Sequence, residues 1–167
     1  MSLSTLPIAS VQLWFSSRLV IHCGVGHMTA DRFTLKEQAQ YHAGLQKTLL
    51  VANEVLAKSS TATDAVLATT NQMALNPIFN AGRVAVFTNE GKNELDASIM
   101  DGKTLAVGAV AGVTNVKHPI YCANLVRTKS LHVMMTSLGA EKFCAQNGAE
   151  IVEPKWFFTE YRYQQLK

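Results

Sequence analysis

The chain has 167 residues, enough for one domain with a real core, and 48% of them are hydrophobic against 16% charged. Its net charge of +3 comes from scattered Lys and Arg with no basic patch interleaved with aromatics, which argues against nucleic acid as a partner. No apolar run reaches the ~20 residues that span a bilayer, so no membrane partner is expected, and so apolar a chain implies a buried sheet or a surface covered by a second chain.

Residues 1–17, MSLSTLPIASVQLWFSS, lack the positive n-region of a secretory signal and read as a flexible extension. Leu19 to His22 (LVIH) reads as a short buried strand running into the glycine turn CGVG. Thr34 and Glu37 then form a T-x-x-E capping box. The helix it starts carries the stripe Leu35, Ala39, His42, Leu45, Leu49, Ala52 and Leu56, spaced as one helical face. His42, inside that stripe, reads as a partly covered structural histidine. A second helix begins at Thr61, with Asp64 three residues later and an inner face of Ala62, Val66, Thr69 and Met73. Pro77 stops it, because the residue before a proline is pushed out of the helical region.

The period then changes. Val84 to Thr88 (VAVFT), a turn at Gly91 and Glu94 to Met100 (ELDASIM) read as strand, turn, strand. Thr104 to Val113 (TLAVGAVAGV) reads as a third strand whose Ala and Gly content calls for something packed closely against it. Pro119 opens a helix through Ser130, with His118 as its cap. His132 to Met135 (HVMM) is another strand, and Leu138 to Asn147 a helix ending at Gly148. The tail is aromatic and then polar. The expected architecture is one α/β layered domain, helices on a mostly antiparallel sheet, with both sheet faces covered by helices or by a partner.

Chemistry is sparse. Ser98 lies between Asp96 and Asp101 but has no GxSxG elbow, and the odd spacing of the two aspartates puts them on opposite faces of a strand. There is no phosphate-binding glycine loop and no close histidine pair for a metal. Cys23, Cys122 and Cys144 fit neither a disulfide framework nor a zinc pattern, so reduced thiols and a cytoplasmic location are expected. No complete catalytic set is present.

Several motifs, in order, carry a resemblance: NPIFNAG, VFT, ELDASIMDG, GAVAGV, HPI, HVMM, GAEKF and FFTEYRYQQL. From about Arg18 to Lys167 the chain resembles the α-subunit of the plant-type L-asparaginase/isoaspartyl peptidase family, which are N-terminal nucleophile hydrolases. The resemblance implies a four-layer αββα sandwich of which residues 18–167 form roughly half. It implies a precursor that cuts itself, a β-subunit beginning with a nucleophilic threonine, and a threonine α-amine as base. The partners it implies are that β-subunit, a second αβ pair, and a small amide or β-aspartyl dipeptide as substrate.

No catalytic residue is then expected in this chain, which contains no Gly-Thr dipeptide, the family's usual cleavage junction. No organic cofactor is implied. A structural sodium (or potassium) ion is, held by the main-chain carbonyls of Met73, Ala74, Asn76, Phe79, Ala81 and Arg83, with Asn80 near the catalytic threonine. The loop of His22, Cys23 and Gly24 matches the family segment beside the cleavage site.

The chain departs from the family there, with HCGVG in place of HGGAG or HGGGAG, so that Cys23 puts a side chain where free φ serves self-cleavage. Val84 replaces a glycine, SSTATDAV stands for GGSALDAV, and TSLGAE for GEGAE. These departures carry an alternative: a non-catalytic or maturation-defective homologue acting as a scaffold or regulatory partner.

Overall fold

The computed structural model of the chain describes residues 10–12, 18–23, 29–58 and 60–167. They belong to two compact units, residues 1–73 and 74–167. Among the described residues no helix is long and apolar enough to cross a membrane.

In the first unit, β1 (Ser10–Gln12) pairs antiparallel with β2 (Arg18–Val20). β1 thus lies inside the segment read from sequence as a flexible extension. The expected buried strand at Leu19 to His22 is corrected: β2 is largely exposed, and Ile21, just past its end, is the buried residue. Helix α1 (Leu35–Ala57) starts where the capping box places it, the Thr34 N–H donating to Glu37 Oε2 at 2.8 Å and the Glu37 N–H to Thr34 Oγ1 at 3.3 Å. Its buried residues are Gly44, Thr48, Leu49 and Ala52. The expected stripe therefore holds only in its second half: Leu35 is 84% exposed, and Ala39 and His42 are exposed too. Helix α2 (Ala62–Leu75) opens on a second reciprocal cap between Thr61 and Asp64. Its buried side chains are Ala65, Leu67, Thr69 and Ala74, so of the expected inner face only Thr69 is buried.

In the second unit, β3 (Leu95–Met100) and β4 (Val107–Val113) form an antiparallel hairpin, and β5 (Met134–Thr136) joins β4 in parallel. The three-stranded sheet is mixed rather than mostly antiparallel. Val84 to Thr88 is not a strand; it contributes one bridge, Phe87 to Asn93, across the turn at Gly91. The Asn93 amide explains why pairing stops there, since it donates to the carbonyls of Ala85 and Val86 at 3.0 and 3.2 Å. A side chain has replaced a ladder.

Helix α3 (Pro119–Lys129) begins on the expected proline, although the His118 side chain makes no capping bond. Helix α4 (Ser137–Gln146) is followed by Gly148 at φ +87°. Both helices pack on the sheet and on each other. Leu95, Ile99, Val110 and Val113 are buried, with Ile120, Val126 and Ala140 from the helices. Gly108 is where α3 touches the strand: a Cβ there would collide with the Ala123 carbonyl and the Arg127 backbone. The alternating residues Asp96, Ser98, Met100 and Val107 are exposed, so among the described residues of this unit the expected helical cover lies on one face of the sheet.

The expectation of reduced thiols is also corrected. Cys122 on α3 is bonded to Cys144 on α4, with Cα atoms 5.6 Å apart; Cys23 stays free. Residues 22 apart on two helices carry no spacing signal, and only their packing against one sheet brings them together. The tail adds a 3-10 turn (Pro154–Phe157) and α5 (Glu160–Leu166), with Phe157 fully buried.

Candidate functional site: a closed loop after the second helix

The loop at Ala74 to Arg83 is built by Pro77. A proline has no N–H, so the Met73 carbonyl loses its helical donor and α2 ends at Leu75. The remaining groups find local partners. The Phe79 N–H donates to the Asn76 carbonyl at 3.1 Å, and the Ile78 N–H to Asn76 Oδ1 at 3.2 Å. The Arg83 N–H returns to the Ala74 carbonyl at 2.9 Å and closes the loop on itself. Phe79, 3% exposed, anchors it from inside. Gly82 permits the closure, because a Cβ there would stand 2.6 Å from the Ala74 carbonyl oxygen.

Beyond the loop, Ala85 N–H donates to the Gly82 carbonyl at 2.8 Å, and Arg162 Nε–H to the Val84 carbonyl at 3.2 Å. The Arg83 guanidinium sits 5.6 Å above the Trp156 ring. These supports from Asn93, Trp156 and Arg162 escaped the sequence reading. A lone arginine or asparagine in a polar stretch carries no mark of the backbone it will hold.

The expected site residues fall as follows. Asn80, Ala81 and Arg83 are exposed on the loop, Phe79 is buried within it, and Met73 lies in the last turn of α2. Among the six expected carbonyls, those of Ala74 and Asn76 already accept one hydrogen bond each. A carbonyl has two lone pairs, so neither is thereby removed as a cation donor. Hard oxygen donors in a closed loop, one of them freed by a proline, fit a hard cation of low charge. His22 is exposed and Cys23 half-buried just after β2, whereas Gly24 lies outside the described residues.

The hairpin aspartates are structural. The Gly112 N–H donates to Asp96 Oδ1 at 2.8 Å, bracing β3 against β4. Asp101 Oδ1 accepts from the N–H groups of Thr104 and Lys103, at 3.0 and 2.8 Å, and these bonds hold its carboxyl below the usual 3.8. Ser98 stands opposite Ala109 in the hairpin register. Among the described residues no cluster of three or more His, Cys, Asp or Glu could hold a metal.

Two polar groups lie deeper. The buried Glu141 carboxylate accepts from Thr114 N–H at 2.7 Å and Thr114 Oγ1 at 2.9 Å, tying α4 to the end of β4. The His118 imidazole places Nε2 3.4 Å from Glu150, which Lys117 also holds at 2.6 Å. Burial pushes His118 below its ordinary 6.5, against the pull of Glu150.

A family model described as Asparaginase matches residues 15–167. The chain is 39% identical over 150 residues to a putative isoaspartyl peptidase/L-asparaginase of Dictyostelium discoideum, covering 90% of this chain and 43% of that protein. It is 39% identical over 148 residues to an isoaspartyl peptidase of Escherichia coli (strain K12), covering 89% and 46%. It is 39% identical over 152 residues to a plant-type L-asparaginase of Pyrococcus horikoshii, covering 89% and 46%. The chain therefore spans a little under half the length of these curated relatives. A match across nearly the whole chain, over the same loop and hairpin whose geometry is described above, places it plainly: the chain belongs to the asparaginase family of isoaspartyl peptidases and plant-type L-asparaginases.

Proposed function

We propose that this chain is the α-subunit part of an isoaspartyl peptidase/L-asparaginase, a hydrolase of β-aspartyl dipeptides and of the side-chain amide of asparagine. The observation that carries the reading is the family match over residues 15–167 at just under half the length of the relatives. In this reading the nucleophile is supplied by a second subunit. A precursor cuts itself and the new β-subunit begins with threonine. The threonine hydroxyl attacks the amide carbon, its own α-amine takes the proton, ammonia or an amino acid leaves, and water hydrolyses the acyl-enzyme.

The closed loop then has its task. Its carbonyls at Met73, Ala74, Asn76, Phe79, Ala81 and Arg83 hold a sodium or potassium ion, and Asn80 supports the nucleophile. The ion stiffens the loop and takes no part in bond making. The open face of the sheet, with Met100 59% and Met134 51% exposed, supports completion of an αββα sandwich by the β-subunit, the αβ pairs then dimerising.

The test is intact-mass analysis of the protein expressed from its complete reading frame, with ammonia release from asparagine and cleavage of β-aspartyl dipeptides assayed in parallel. Two chains are expected, the second beginning with threonine, together with activity. Cys23 favours a second reading, a maturation-defective homologue serving as scaffold or regulator. An uncut chain without ammonia release would establish that reading and overturn the first.

A further inference from the structure

We propose that Cys122 and Cys144 are a redox couple whose oxidation clamps the β5 edge of the sheet. The two sulfurs belong to different helices, are fully buried, and sit on Cα atoms 5.6 Å apart, within the span a disulfide favours. In the bonded state both helices keep their seats on the sheet. Between them run the second half of α3, all of β5 and most of α4. β5 is three residues long and pairs with β4 only at Met134, Met135 and Thr136. The surrounding stretch is exposed and apolar, with Leu131, Val133, Met134 and Leu138 all on the surface. A segment with so few buried contacts of its own is where local opening concentrates.

What holds it is the placement of its two ends. α3 is seated on β4 at Gly108, and α4 is tied to β4 through Glu141 and Thr114. Without the bond, α4 and β5 can lift while α3 stays. With the bond, lifting α4 means dragging α3 off Gly108. Opening of β5 is thereby coupled to loss of the best-packed helix in the unit.

The oxidant is a low-molecular-weight disulfide such as oxidised glutathione. One cysteine, as thiolate, attacks its S–S bond and expels one small thiolate, leaving a mixed disulfide. The second, as thiolate, attacks the protein sulfur of that mixed disulfide and expels the other small thiolate. One S–S bond is consumed and one formed. Two electrons pass to the small molecule, and the two protons shed by the cysteines are taken up by the released thiolates. Because both sulfurs are buried, exchange waits for local opening, and the two states interconvert slowly.

The experiment uses the protein from its complete reading frame, equilibrated in oxidised or in reduced glutathione. Free thiols are alkylated and the chain digested with trypsin. The oxidised sample should yield the peptide 118–127 joined to the peptide 143–155, and the reduced sample should yield them separately. Hydrogen exchange across residues 131–138 should be on the order of tenfold slower in the oxidised form, with β3 unchanged. Absence of the joined peptide, or equal exchange across 131–138 in both forms, would overturn the proposal. Cys122→Ser and Cys144→Ser should exchange like the reduced form in either buffer. Should these variants not fold, the two wild-type samples decide the matter alone.

Discussion

Gly82 and His118 show how single residues set limits here. Gly82 packs against the backbone of Ala74, an atom that cannot rotate away. Gly82→Ala should lower stability by about 1–3 kcal/mol, the usual cost of forcing a methyl into filled space, read as a lower urea midpoint. Restoring the loop by added sodium or potassium would be a separate sign that the cation belongs there. His118 governs pH. Its folded pKa lies below the unfolded value of 6.5, so the unfolded chain binds the proton more readily. Its contribution is complete above pH 6.5 and is lost as pH falls through the folded pKa. Glu150, held low by Lys117, adds a loss of the same sign below 4.5. His118→Gln should flatten the fall in stability that begins below pH 6.5 while leaving the acid limb below 4.5, as followed by thermal melts across pH.

Elements are joined by two contacts of opposite kind. Gly108 seats α3 by having no side chain, and Gly108→Ala should loosen α3 from the sheet by about 1–3 kcal/mol or more, since the atoms it meets are main chain. Glu141 seats α4 by having one. Glu141→Ala leaves both Thr114 donors without their acceptor and should cost about 1–3 kcal/mol, with Glu141→Gln recovering part of it, as measured by urea unfolding.

The same contrast explains what the sequence discloses. The start of α1 at Thr34 and Glu37, the stop of α2 at Pro77 and the start of α3 at Pro119 are local chemistry and were legible. The buried faces of α1 and α2 were not, because a surface helix with many alanines offers several stripes and tertiary packing selects among them. Val84 to Thr88 has the composition of a strand, but Asn93 takes its carbonyls. In the loop, Pro77, Asn76 and Gly82 announced a rigid turn, whereas its closure through Arg83 and Ala74 depends on geometry that no residue type encodes.

At the scale of the whole chain, the open sheet face decides behaviour. Met100, Val107 and Met134 present apolar surface with one charge, Asp96, at the far end of β3. Expressed without a second chain, the protein should self-associate, and sedimentation should show species that grow with concentration. Val107→Lys with Met134→Lys should suppress that growth. The same pair of changes should prevent capture of a processed β-chain, so one double variant tests whether self-association and capture use the same face.

Phe157 carries a consequence for how the chain tolerates cutting. It is fully buried, while the helix after it buries nothing. Trypsin can cut after Lys155 or after Arg162. A fragment that ends at Arg162 keeps the aromatic plug and the Arg162 bond to Val84, and should persist as a resistant band. A fragment that ends at Lys155 has lost the plug at a cost of about 3–5 kcal/mol and should be degraded onward. Stability along the tail thus ends in a step rather than a slope.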